Sequence, residues 1–188
     1  MIWRLLVLIT ATALITLPSQ AKSVQCNEKE WNKALAAQKR IDDRYNFHAN
    51  KFNFWLSAYH RQVFLHDEFS SQELVSFWQS DKQQWHLKLE GQIRASRAAA
   101  DNMNIETLQL RQMTPAIRLM ESNWLSLNQA CEEQGFALNM ITSAGYIQVN
   151  QKLRKEVQKL MEKLEFLRSR YSQEAESLEN ARQPSQHN

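Results

Sequence analysis

LRKEVQKLMEKLEFLRSRYSQEAESL, residues 153–178, carries apolar side chains at Leu153, Val157, Leu160, Leu164, Leu167, Tyr171 and Leu178, alternately four and three positions apart. Only Glu174 is out of type in that series. The spacing holds one stripe of an α-helix against a neighbour for about seven turns, the pattern of a bundle or coiled-coil seam. The helix is expected to fray near Arg182.

A second seam runs near the start of the chain. Asn27 followed at the third helical position by Glu30 has capping-box spacing. Trp31, Gln38, Tyr45, Phe52 and Tyr59 then recur every seventh residue, with Ala34, Ile41, His48 and Trp55 between them. This predicts a helix from about Glu28 to His66. Its stripe is aromatic and mixed rather than Leu-rich, which favours an irregular bundle over a two-stranded coil.

Between these seams the local signals suggest interruptions. Ser70 with Glu73 forms another capping box and opens a helix through Leu74, Phe77, Trp78, Trp85, Leu89 and Ile93. Asp101-Asn102-Met103-Asn104 reads as a kink or turn. Thr114-Pro115 reads as an N-cap followed by proline at the first helical position, and Gly135 as the residue that ends that helix. Residues 136–145 suit either a buried linker or a short helix.

Three glycines and three prolines in 188 residues leave too few turn formers for a sheet or barrel. The expected fold is therefore all-α: an elongated, irregular antiparallel bundle of three to four long helices with coiled-coil-like packing.

The N-terminus carries a different signal. Arg4 precedes an uncharged run from Leu5 to Leu17, and Pro18-Ser19-Gln20-Ala21 ends in small residues suited to cleavage. That is the pattern of a signal peptide over residues 1–21, too short in its apolar part to span a membrane. The expected organisation is one helical domain over 22–182 and a disordered tail over 183–188. Losing Arg4 with the leader reduces the formal charge from +3 to +2. A near-neutral exported chain does not suggest a nucleic-acid partner, and no second apolar run suggests a membrane span.

Two cysteines in an exported chain most simply form one intramolecular disulfide, Cys26–Cys131; intermolecular bridges or reactive thiols are the alternatives. An up-down-up-down bundle would place these residues at opposite ends, beyond the reach of a disulfide. A bend without full reversal at 101–115 would remove the conflict.

Catalytic motifs are missing from the sequence. There is no Gly-x-Ser-x-Gly, phosphate-binding Gly-rich loop, Ser-x-x-Lys or Cys-x-x-Cys, and no histidine pair at helical metal-ligand spacing. Carboxylate pairs such as Asp42-Asp43 point about 100° apart on a helix and read as solvated faces. A non-catalytic protein without a cofactor is expected. His48, within its apolar stripe, reads as a half-buried histidine with hydrogen-bond partners rather than a haem ligand opposite Met103, Met113 or Met120.

Two features could carry function. Trp55, Trp78, Trp85 and Trp124 could line a groove, although core filling is the simpler account of them. Lys152, Arg154, Lys155, Lys159 and Lys163 give the last helix a basic stretch, followed by acidic Glu174, Glu176 and Glu179. That order opposes the helix dipole, so it reflects either an ordinary solvated helix or a tertiary or intermolecular partner such as a second copy. The basic face could touch an anionic surface weakly.

The sequence thus suggests an adaptor or interaction module of the bacterial periplasm, binding another envelope protein or itself. A bundle holding a small apolar ligand or haem is the alternative, and a holdase-like chaperone a weaker one.

Overall fold

The computed structural model describes residues 24–80 and 82–182; the expected signal peptide and C-terminal tail lie outside them. Five helices account for the fold: α1 Glu28–Tyr59, α2 Leu65–Glu68, α3 Ser71–Gln79, α4 Gln83–Glu133 and α5 Ala137–Arg182. No strand occurs among the described residues. The all-α bundle expected from the sequence is the architecture found.

Its frame is an antiparallel hairpin of α4 and α5, 51 and 46 residues long. At 1.5 Å per residue these rods span about 76 and 69 Å. Asn128 Nδ2 donates to Ser143 Oγ at 2.9 Å near one end, and Arg97 Nε donates to Glu179 Oε1 at 2.7 Å near the other. Helix α1 lies beside them, antiparallel to α4 and parallel to α5. Trp124 Nε1 and Asn150 Nδ2, one from each rod, donate to Gln38 Oε1 at 2.9 and 2.7 Å.

Where α1 stops, α2 and α3 take over the same side of the hairpin. Apolar packing therefore divides into three clusters along the axis. Trp124, Met120 and Leu127 anchor the end that holds Cys26 and Cys131. Leu110, Ile117, Val157 and Leu164 fill the middle. Leu74, Trp78, Leu89 and Leu178 close the other end.

Helix α1 ends at Tyr59, earlier than the expected His66. The next seam position is polar Gln62, and the chain turns so that Phe64 enters the middle core, 5.2 Å from the Tyr171 ring. The helix expected to start at Ser70 does have its capping box, Ser70 with Glu73. Hydrogen bonds from the Ser70 backbone and hydroxyl hold the Glu73 carboxyl below its usual range. That helix ends at Gln79 instead of continuing past Trp85. Leu74 and Trp78 pack with Leu89 and Ile93 in one cluster, which requires the chain to fold back on itself between them.

The largest departure is α4. Both the turn expected at 101–104 and the helix start expected at Pro115 are replaced by continuous helix. Asp101, Asn102 and Asn104 face solvent, while Ala100, Met103, Leu110, Met113 and Ile117 stay on the buried side. Pro115 is exposed inside the helix. Burial along the seam outweighs the local breakers. Gly135 does end the helix, with φ 74°. Phe136 N–H bonds Cys131 O at 2.8 Å and Gly135 N–H bonds Glu132 O at 3.0 Å, the two bonds of a Schellman motif. Residues 137–145 form the first turns of α5.

With α4 unbroken, only one reversal separates α1 from α4. The start of α1 and the end of α4 therefore share an end of the bundle, and Cys26 and Cys131 are paired in a disulfide with Cα atoms 4.8 Å apart. The bend expected at 101–115 is not needed and does not occur.

Candidate functional site

The four tryptophans considered for a groove sit at different heights and do not converge. Trp124 is fully buried, stacked on Tyr146 at 4.2 Å and edge-on to Trp31 at 5.5 Å. Trp55 packs against the middle cluster with Lys51 Nζ 5.3 Å from its ring. Trp78 is buried at the far end, where its Nε1 donates to Leu178 O at 3.0 Å and so pins α3 to α5. Trp85 alone is open, at 39% exposure.

Around Trp85 the irregular α1–α4 connection builds an aromatic cleft of about 330 Å³. Phe77 stacks on Trp85 with centroids 6.0 Å apart and planes 15° apart. Phe69 meets Phe77 edge-on at 5.0 Å. Val63 and Leu65 form the facing wall, and Leu89 the buried floor. Val63 and Phe69 are 60% and 36% exposed, so apolar surface is presented to water rather than folded away. Lys88 Nζ lies 5.1 Å from the Trp85 ring and is the cleft's one charged lining group.

A buried carboxylate positions this wall. Glu174, the residue out of type in the α5 seam, accepts from the Leu65 and His66 backbone N–H groups at 2.9 and 3.1 Å. Its Oε2 also contacts His66 Nδ1 at 2.5 Å, and Gln92 Nε2 donates to its Oε1 at 2.9 Å. Gln92 Nε2 lies 3.2 Å from Val63 O as well. These hydrogen bonds tie the short, irregular elements to the hairpin. Apart from Lys88 and the amides of Gln62 and Gln92, the cleft lining is aliphatic and aromatic, which suits it to binding apolar groups.

A second buried carboxylate lies in the middle core. Glu106 contacts His48 Nδ1 through Oε1 and Lys51 Nζ through Oε2, both from α1. This places His48 in a buried side-chain contact between α1 and α4 rather than beside an open site. Met103, Met113 and Met120 are buried in the apolar clusters. Among the described residues no group of three or more His, Cys, Asp or Glu side chains is arranged to hold a metal ion.

The acidic end of α5 has tertiary partners. Glu179 pairs with Arg97, whose guanidinium holds the carboxyl below its usual range, and Glu174 is buried as described. Of the basic stretch, Arg154 pairs with Glu121 at 3.3 Å and Lys159 with Glu156 at 3.1 Å. Lys152 and Lys155 are exposed, and Lys163 lies 5.9 Å from the Phe52 ring. Among the described residues no helix is long and apolar enough to cross a membrane. No protein family, curated protein or solved structure matches the chain.

Proposed function

We propose that the protein is an exported, non-catalytic adaptor of the bacterial cell envelope that docks an apolar segment of a partner protein in the Phe69–Phe77–Trp85 cleft. The observation that carries this reading is the cleft itself. Three ring systems and Val63 are held open together at one end of the bundle, in contact with one another rather than scattered singly. Aromatic anchors in a preformed cleft are where binding energy concentrates, because little side-chain freedom remains to be lost on association. Export is supported by the leader pattern over 1–21 and by a disulfide, which persists in an oxidising compartment.

A photo-crosslinking residue at Phe69 tests the reading in cells. It should give a discrete adduct with one envelope protein, absent when the same probe replaces Lys33 on α1. The adduct should fall about tenfold when Trp85→Ala removes an aromatic anchor. Equal crosslinking from both positions, or an adduct indifferent to Trp85, would sink it.

The cleft volume also lies at the low end of the range for small-molecule sites, which favours a small apolar ligand as the second reading. In that case the purified mature protein should release such a molecule on extraction, and the Trp85→Ala protein should not.

A further inference from the structure

On a different surface, two features of opposite character meet at one residue. Between α1 and α5 runs an apolar groove of about 460 Å³ walled by Phe52, Leu56, Phe166 and Leu167. Phe166 is 56% exposed, so the groove is open to water along one side. Beside it, over the α4–α5 seam, lies a polar pocket of about 470 Å³ lined by Arg118, Arg154, Lys155 and Lys159 with Thr114 and Gln158. Lys159 lines both.

The charges of the pocket are incompletely balanced. Glu121 takes Arg154 and Glu156 takes Lys159, while Glu162, on the groove side, accepts from Gln158 at 2.9 Å. Arg118 and Lys155, one from each rod, are exposed and make no hydrogen bond or ion pair among the described residues. Like charges converging on one pocket repel each other, and a bound anion would relieve that repulsion. Guanidinium and hydroxyl donors at such a site suit a phosphate oxygen cluster, to which arginine binds in bidentate fashion.

We infer that this composite site binds a single phosphate-bearing anionic lipid, with the acyl chain in the Phe52–Phe166 groove and the phosphate among Arg118, Arg154 and Lys155. The apolar groove alone would take any hydrophobic group, and the basic pocket alone any small anion. Their junction at Lys159 selects a molecule carrying both. Within the groove lining Lys159 and Lys163 outnumber Glu162, which leaves a net positive charge that disfavours a cationic headgroup. The site shares no lining residue with the aromatic cleft, and the inference does not depend on adaptor function.

Titration calorimetry of the mature protein with lysophosphatidylglycerol, kept below its critical micelle concentration, tests the proposal. Saturable binding of one lipid per protein is expected. The Arg118→Glu, Lys155→Glu double variant should weaken it about tenfold or more by replacing attraction with repulsion. Phe166→Asp should weaken it about as much by placing a charge in the groove wall. These side chains are exposed, and unchanged thermal melts would show that the fold is intact. Lysophosphatidylcholine, with the same chain and no net charge, should bind more weakly, and glycerol 3-phosphate more weakly still. Absence of saturation overturns the proposal, as does wild-type affinity in either variant. Equal affinity for lysophosphatidylcholine removes the role of charge, and equal affinity for glycerol 3-phosphate removes the role of the groove; either result also overturns it.

Discussion

Glu106 has no solvent exposure, and an isolated carboxylate there would lose its hydration without return. His48 and Lys51 meet its two oxygens from another helix, across 58 and 55 residues of sequence. Such a contact is intolerant of a shift of α1 along α4, so it can fix the register of two seams whose apolar residues would tolerate sliding. Its two partners are not equivalent. Lys51 is partly exposed and can carry its charge to water on a flexible stem, whereas His48 cannot leave the core. Glu106→Leu should therefore destabilise the fold by about 3 kcal/mol, while His48→Leu combined with Glu106→Leu should recover most of that loss. Denaturant unfolding of the wild type, both single variants and the double variant measures the coupling; additive losses would contradict it. The sequence exposed half of this arrangement. The place of His48 in a seven-residue stripe marks it as a side chain needing partners, but nothing local identifies Glu106, which falls just past the 101–104 stretch that reads as a turn. Glu174 stands out within its leucine series, yet its role of holding the start of α2 depends on how the chain turns after α1, more than 100 residues earlier.

Helix α4 shows why local signals can mislead about an element. Its buried seam runs through 89, 93, 96, 100, 103, 106, 110, 113, 117, 120, 124, 127 and 131 in steps of four and three, with one repeated step of three at 103–106; Ala130, also buried, flanks the last position. An inserted three-residue step of that kind is absorbed by slight overwinding rather than by a break. The seam is thus continuous through Asp101-Asn102-Met103-Asn104 and through Thr114-Pro115, where propensity alone reads stop and start. Reading the phase of the buried stripe across both sites would have joined the segments; reading each dipeptide separately split them. Pro115 then acts as an interior proline, lacking the N–H that would bond the Arg111 carbonyl, and its exposure means no packing is lost on replacement. Pro115→Ala should raise stability by roughly 1–3 kcal/mol, seen as a higher melting temperature with unchanged helical content. If Pro115 instead opened a separate helix, where its fixed φ helps, the same change would be neutral or destabilising.

At the scale of the molecule, the scarcity of Gly and Pro limits the number of reversals, and the disulfide depends on that number. Three separate long helices before Cys131 would put it at the wrong end; α1 followed by one continuous α4 puts it beside Cys26. The bridge closes a loop with a sequence separation of 105 and ties α1, the helix that meets the hairpin only along its side, to the end of that hairpin. In the chain-entropy account a loop of this size contributes about 4–5 kcal/mol by restricting the unfolded chain. Replacing both cysteines by serine should lower the denaturant midpoint by an amount approaching that value. The loss should not be confined to global unfolding. Amides of α1 near Ala34 and Gln38 should exchange with solvent faster than those around Leu164, because the Trp124 cluster loses its covalent clasp while the middle core keeps all its contacts. Helix α3, pinned by Trp78 at the opposite end, should change least. Uniform acceleration along the whole bundle would mean that the bridge acts only through the unfolded state. A graded response, strongest beside residue 26, would mean that it also clamps α1 in the folded one.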